Sequence, residues 1–310
     1  MSPRPTPPGD LSLACVILTM GTRPTELVRC VESVLAQDGA PIDVVVVANG
    51  CPAPDLPAGV RVVELPENVG PPAGRNAAMA TIDADVVLCL DDDAWYSAPD
   101  IAQHVRRSFA ADPRLGVLTM RIDDPEGGPG QQRHVPRLGR TDAHRSSDVT
   151  TFLFGACAIR RAAFLEAGEL AGNFFFNHEE SDFAWRVLDA GWRIHYDGTV
   201  AVLHPSTEPY RENSEHHWRN GRNRAWMARR RLPQPLAALH VATWTVITAV
   251  RGARSTPRPD EHGVRHSRLW WFGTYLRGVR EGLRTDPGPV RPMRWRTAWR
   301  MTRLGRPPLI

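Results

Sequence analysis

Three consecutive carboxylates, Asp91, Asp92 and Asp93, directly follow the apolar run 85–90. Neighbouring carboxylates repel one another, so stacking three at a strand end is unfavourable unless a positive group joins them. A divalent cation does so. Mg2+ and Mn2+ take oxygen ligands and bridge one or two carboxylates to the phosphates of a substrate. The plain structural alternative is a solvated strand-end turn. A phosphoaspartate pocket would need a lysine nearby, and the 310-residue chain has none: all 38 of its basic residues are arginine.

A second acidic group, His178-Glu179-Glu180-Ser181-Asp182, is followed four residues later by Arg186. On a helix Asp182 and Arg186 share a face and can pair. The acids then occupy the first turn, where the helix dipole favours negative charge. Capping plus a salt bridge would account for them structurally. A carboxylate that deprotonates an attacking hydroxyl would account for them chemically, and such help is worth roughly 10²–10⁴ in rate.

The elements that must position these groups alternate between strand and helix. Residues 13–19, 43–48, 60–65 and 85–90 are short apolar runs of the kind buried on both faces of a sheet. Between them, 25–36 carries the apolar stripe Leu27, Val31, Val34, Leu35, and Pro71-Pro72 opens a helix running to about 81. A helix over 100–110 and a strand over 116–122 follow, then a Gly-, Pro-, Arg- and His-rich loop over 123–148 of lid or binding character. The core resumes at 152–159. A helix is expected over 179–190, with two short strands at 193–196 and 199–203. The pattern predicts an α/β fold with a mostly parallel sheet flanked by helices, and ligands at the carboxyl ends of its strands.

Composition sets the limits. Mean hydropathy is −0.33, and no uninterrupted apolar run approaches the roughly 18 residues of a spanning helix. The first ten residues lack the apolar centre of a secretion signal and read as part of a disordered arm over 1–11. The five cysteines (15, 30, 51, 89, 157) show no CxxC spacing, so reduced core thiols in a cytoplasmic protein are expected, without structural zinc. The formal net charge of +4 hides an asymmetry. Residues 1–210 carry 17 arginines against 28 acids, and residues 211–310 carry 21 against 6. Seven of the ten tryptophans also follow residue 210, so a basic, mainly helical extension over 208–310 is expected after a domain over 12–207.

Five segments in this order resemble the family-2 glycosyltransferases of GT-A fold, over about residues 12–206: VILTMGTRP, NVGPPAGRN, LDDDA, FGACAIRR and HEESDFAWRVLDAGWRIHY. The resemblance implies inverting transfer of a sugar from a nucleotide-diphosphate donor to a hydroxyl acceptor, in cell-surface polysaccharide or cell-wall glycan synthesis. It implies Mn2+ or Mg2+ on Asp91 and Asp93, completed by His204, with Asp92 facing the sugar or ribose. Thr19, Gly21, Arg23, Asn49, Asn68, Arg75 and Asn76 are implied at the nucleotide-sugar, although the family more often has Asp at the position of Asn49. Glu180, where the family usually has Asp, is the implied base and Glu179 the alternative, with Asp182 and Arg186 in support. Gly155 and Ala156 floor the acceptor pocket, and Trp185 is placed to stack on a sugar.

Two other classes are weaker. A nucleotidyltransferase also uses strand-end acids, but LTMGTRPTEL lacks the glycine-rich basic loop expected after its first strand. A non-catalytic sugar-binding module has no need of both acidic groups. For the extension, docking on a membrane surface, with 236–250 lying in the interface, ranks ahead of packing on the catalytic domain or a second subunit. The acceptor could then be a lipid-linked glycan, at the inner face of the cell membrane. Nucleic-acid binding ranks last, since the catalytic body is acidic and no reader motif is present. A homo-oligomer is left open.

Overall fold

The computed structural model describes residues 11–127, 134–139, 142–205, 213–254, 259–260 and 263–309. The expected arm therefore lies outside them except for Leu11, which is buried. The first apolar run forms strand β1 (Leu13–Thr19), which lies between β2 (Ile42–Asn49) and β4 (Val86–Asp91), parallel to both. β3 (Arg61–Leu65) adds parallel outside β2. Strands rich in Val, Ile and Leu suit this position, covered on both faces.

The other half of the sheet is mixed. β8 (Ala156–Arg160) runs antiparallel between β4 and β6 (Leu115–Asp123), and β9 (Arg193–Leu203) lies parallel to β6. Two-residue strands β5 (Trp95–Tyr96) and β7 (Ser147–Asp148) pair antiparallel with β9. The order is β3-β2-β1-β4-β8-β6-β9-β5, with β7 also on β9. The two strands expected over 193–203 are one strand with a bulge. Met120 pairs with Asp197 and Arg121 with Ala201, which leaves 198–200 outside the ladder.

Helices α1 (Pro24–Leu35) and α3 (Ile101–Ala111) cover one face of the sheet, through Leu27, Val31 and Phe109. Helices α2 (Gly70–Met79), α4 (Arg161–Ala167) and α5 (Glu179–Ala190) cover the other, through Ala78, Phe164, Phe183 and Val187. The five cysteines are free thiols, and all but Cys51 are buried.

The extension folds as α6 (Ser214–Arg231), α7 (Gln234–Arg254), α8 (Arg268–Arg284) and α9 (Trp295–Arg303). Its Trp226, Met227, Ala298 and Met301 belong to the same core as Phe183 and Val187, so it packs on the catalytic domain rather than hanging from it. α6 and α8 approach closely enough that a Cβ on Gly278 would run into the carbonyl of Trp218, a contact only glycine permits. The segment expected to be only 15 residues long is part of the 21-residue α7. By length and composition α7 could cross a membrane: an 18-residue window has mean hydropathy 1.3, with 11% of it buried.

Candidate active site

Strand β4 delivers its terminal acids to the carboxyl edge of the sheet, and each takes a different partner. Asp91 accepts from Arg75 of α2 at 3.1 Å. Asp92, buried, accepts from the Thr19 hydroxyl at 2.7 Å and from Arg23 at 3.1 Å. Asp93 is paired with Arg23 and lies 3.2 Å from His204 Nε2, whose Nδ1 faces the Pro205 carbonyl at 2.8 Å. His204 Nε2 is also 3.8 Å from Asp91. The loop after β1 and the end of β9 thus converge on one acidic edge.

These contacts fix the charge pattern. Burial raises the Asp92 pKa, and the Thr19 hydrogen bond and Arg23 only partly offset it. Burial also acts on Asp93, but His204 and Arg23 outweigh it and the net shift is downward. Burial alone would lower His204, yet the hydrogen bond to Asp93 and the charges of Asp93 and Asp91 raise it to about 8. An imidazolium therefore sits between two carboxylates at neutral pH, where positive charge is in demand. Among the described residues no three ligating side chains are already gathered around a common point. The chemistry of the donor set nonetheless suits a divalent ion. Asp91 and Asp93 supply oxygens, Asp93 Oδ1 already facing His204 Nε2 at 3.2 Å, and His204, on giving up its proton, supplies a nitrogen.

A cavity of about 500 Å3 lies over this edge, walled by Thr22, Arg23, Asn49, Asn68, Arg75 and Phe175 besides the three acids. Gly21, at φ 73°, turns the chain after β1, and its N–H donates to Thr19. Asn49 and Asn68 bond to each other at 2.9 Å and cap the entry to α2 through the Val69 and Gly70 N–H groups. Asn76 instead ties α2 to both backbone groups of Leu170 and does not line the cavity.

A second cavity of about 150 Å3 shares Pro71, Arg75, Asp91, Phe176 and His204 with the first and adds Gly155, Glu179 and Glu180. Gly155 packs so closely on Asp91 that a Cβ would strike its Oδ2. Ala156 is buried in β8, behind this floor. Burial and the neighbouring Glu180 push the Glu179 carboxyl well above its ordinary value, and its Oε2 has no hydrogen bond. Burial raises Glu180 too, against the pull of Arg75. Two adjacent carboxyls of raised pKa thus stand at the wall of a cavity that reaches the acidic edge, a setting suited to proton transfer.

The other residues expected here lie elsewhere. Asp182, fully buried, turns away from the cavities into three guanidinium groups. It accepts from Arg231 at 2.7 and 3.3 Å and from Arg186 at 3.1 Å, with Arg230 at 3.6 Å. Burial would raise its pKa, but these arginines hold it down. Trp185 and Arg186 wall a separate cavity on the far side of α5, and Trp185 meets His240 edge-on.

The sequence reading missed what supports Glu179. Phe175, Asn177 and His178 all have positive φ, 63°, 74° and 72°, a region costly for non-glycine residues. Asn223 of α6, fully buried, holds this turn by donating to the carbonyls of Phe174, Phe176 and Asn177 at 2.7–3.0 Å. His178 contributes through Asn220 at 2.7 Å. The run RNGRNR was read only as basic charge, and nothing local marks its asparagines as partners of residues more than 40 positions away.

The sheet order, the strand-end acids and the carboxylates of α5 define the GT-A type of nucleotide-sugar fold. Two solved structures share it. GalNAc-T7 with UDP, GalNAc and Mn2+ matches at TM-score 0.56 and 13% identity over 85% of this chain and 56% of its own. The mannosyltransferase PcManGT from Pyrobaculum calidifontis, in complex with GDP-Man and Mn2+, matches at 0.55 and 17% over 88% and 87%. Residues 15–168 match the profile described as glycosyl transferase family 2. The succinoglycan biosynthesis protein ExoO of Rhizobium meliloti (strain 1021) is 30% identical over 109 residues, 33% of this chain and 31% of that protein. The chain belongs to glycosyltransferase family 2.

Proposed function

We propose that this protein transfers a sugar from a nucleotide-diphosphate donor to a hydroxyl acceptor, with inversion at the anomeric carbon. The observation that carries the reading is the continuity of the two cavities, from Asp91, Asp92, Asp93 and His204 at one end to Glu179 and Glu180 at the other. Asp91, Asp93 and His204 would hold Mn2+ or Mg2+, which when bound neutralises the charge developing on the departing nucleotide diphosphate. Arg23 and Arg75 add fixed positive charge on the same edge. Asp92, held by Thr19 and Arg23, faces the sugar or ribose, and Asn49 and Asn68 border the nucleotide.

Glu180 takes the proton of the attacking hydroxyl. Burial raises both carboxyls, so Glu180, when deprotonated, is a stronger base than an ordinary carboxylate, and Glu179 stands beside it as the alternative. Glu180 lines one cavity and Arg23 and Asp93 the other, with Asp91 and His204 common to both, an arrangement compatible with direct displacement. PcManGT, in complex with GDP-Man and Mn2+, and GalNAc-T7, with UDP, GalNAc and Mn2+, support the metal and the donor class. ExoO, a succinoglycan biosynthesis protein, supports a polysaccharide product. The apolar surface of α7, with Leu239, Val246 and Val250 exposed, supports association with the inner face of the cell membrane.

The test is nucleotide release from a panel of UDP-, GDP- and dTDP-sugars with and without Mn2+ or Mg2+, alongside Asp93→Ala and binding of the free nucleotides. Release from one donor that disappears without metal and in the variant is the expected result. Absence of both release and metal-dependent nucleotide binding would overturn the reading.

A further inference from the structure

Arg224 of α6 is 8% exposed, yet its Nε is buried without a hydrogen bond, and among the described residues no carboxylate lies within ion-pair distance of it. Its guanidinium stacks on Trp244 of α7 at 3.8 Å. Burial lowers its pKa to about 10, with the Tyr275 hydroxyl beside it opposing and the charges of Arg306 and Arg251 adding to the fall. A buried cation with no counter-charge among the described residues is unfavourable. The Nε1 of Trp244 and the Oγ1 of Thr150 are likewise buried without a hydrogen bond. These groups line a small cavity of about 60 Å3, together with Thr151, Ser181 and Arg306.

That cavity is not isolated. A neighbouring one of about 260 Å3 shares Thr151, His178, Ser181 and Arg306 with it and reaches Glu180. Glu180 is the sole carboxylate among the described residues lining either, and it stands at the inner end. The Arg224 guanidinium and the Trp244 Nε1–H can only donate, and the hydroxyls of Thr150, Thr151 and Ser181 can turn to donate, so the site suits an oxyanion. A phosphoryl group offers three oxygens to these spread donors where a carboxylate offers two.

We propose that Arg224, with Trp244, Ser181 and Thr151, binds a phosphoryl group carried by the acceptor, on the far side of Glu180 from the donor diphosphate. The assignment of that group to the acceptor rests on Glu180 being the base. The site would select a phosphorylated acceptor and hold its hydroxyl at Glu180, leaving Asp91 and Asp93 to the donor.

The test is calorimetric and thermal-shift titration of the full chain, without divalent cation, with inorganic phosphate, with a sugar 1-phosphate and with vesicles containing phosphatidic acid. Wild type, Arg224→Gln, Arg224→Lys and Ser181→Ala are compared. Phosphate and the sugar phosphate should bind wild type and raise its unfolding midpoint. Arg224→Gln should weaken binding at least tenfold, about 1.4 kcal/mol, and unfold no more readily than wild type in the absence of phosphate, since it removes an uncompensated charge. Arg224→Lys should recover part of the binding. Vesicle binding lost in Arg224→Gln would identify a lipid phosphate as the source, and binding of the soluble phosphates alone would identify a water-soluble one.

No binding by any probe, binding unchanged in Arg224→Gln, or displacement by UDP or GDP would overturn the proposal. Metal-dependent nucleotide binding, measured on the same samples, separates its failure from failure of the glycosyltransferase reading.

Discussion

Replacing Asp182 by Asn tests whether this carboxylate is a brace or a base. Its side chain is fully buried, and Arg186, Arg230 and Arg231 crowd around it. The substitution keeps the shape and removes the only negative charge that, among the described residues, contacts the three guanidiniums. Removing one partner of a buried ion pair is unfavourable by about 3–5 kcal/mol, because the charge left behind is uncompensated. For a chain of this size each kcal/mol moves the unfolding midpoint by roughly 2–4 °C, so a fall on the order of 10 °C is expected by differential scanning calorimetry. Combining Asp182→Asn with Arg231→Met should recover part of the loss, since one uncompensated charge disappears. Well below the midpoint, Asp182→Asn should retain far more turnover than Glu180→Gln. A fall of less than about 1 kcal/mol, or a double variant no more stable than the single one, would refute the argument that Asp182 joins α5 to α6 electrostatically.

Three further outcomes follow from the site. Glu180→Gln should lower kcat by roughly 10²–10⁴ with little change in donor KM. Because the base works deprotonated and its pKa is raised, wild-type kcat should fall with acidification at a pH above the ordinary carboxylate value of 4.5, and a pH–rate profile of Glu180→Gln should lack that limb. Gly155→Ala should push Asp91 out of place and weaken metal-dependent nucleotide binding, measured by calorimetry, at close to wild-type stability. Asn223→Ala removes the amide donor from the carbonyls of Phe176 and Asn177, while that of Phe174 keeps the Phe176 N–H and Arg222, at roughly 1–3 kcal/mol for each buried group left unpaired. Hydrogen exchange over 174–180 should rise and kcat fall, and protection like that of wild type would show that the strained turn holds itself.

Most of the catalytic half was legible because its signals are local. Apart from Thr19 and Asn49 at their carboxyl ends, the runs that became β1, β2 and β4 are apolar at every position that the sheet buries, and the run of three Asp can only follow β4 to the carboxyl edge. An apolar stripe marked α1 and paired prolines marked α2, and Glu179 and Glu180 mark the first turn of α5 by charge. Other expectations depended on which face of α5 meets which neighbour. Helical spacing placed Asp182 one turn from Glu179, but it could not say that the arginines of α6 would claim that face. Nor could it say that Trp185 would turn to His240 instead of the cavity.

The extension shows the same division. The sequence by itself pointed to a mainly helical, basic and aromatic extension over 208–310, and among the described residues α6, α7, α8 and α9 lie within it. Only the tertiary structure decided that Arg230, Arg231 and Asn223 turn inward to the catalytic domain while Leu239, Val246 and Val250 remain outside. A side chain's charge and apolarity are written in the residue. Whether it meets a carboxylate, a carbonyl or open surface depends on how helices distant in sequence pack. That packing left Asp182 surrounded by arginines and Arg224 without a carboxylate.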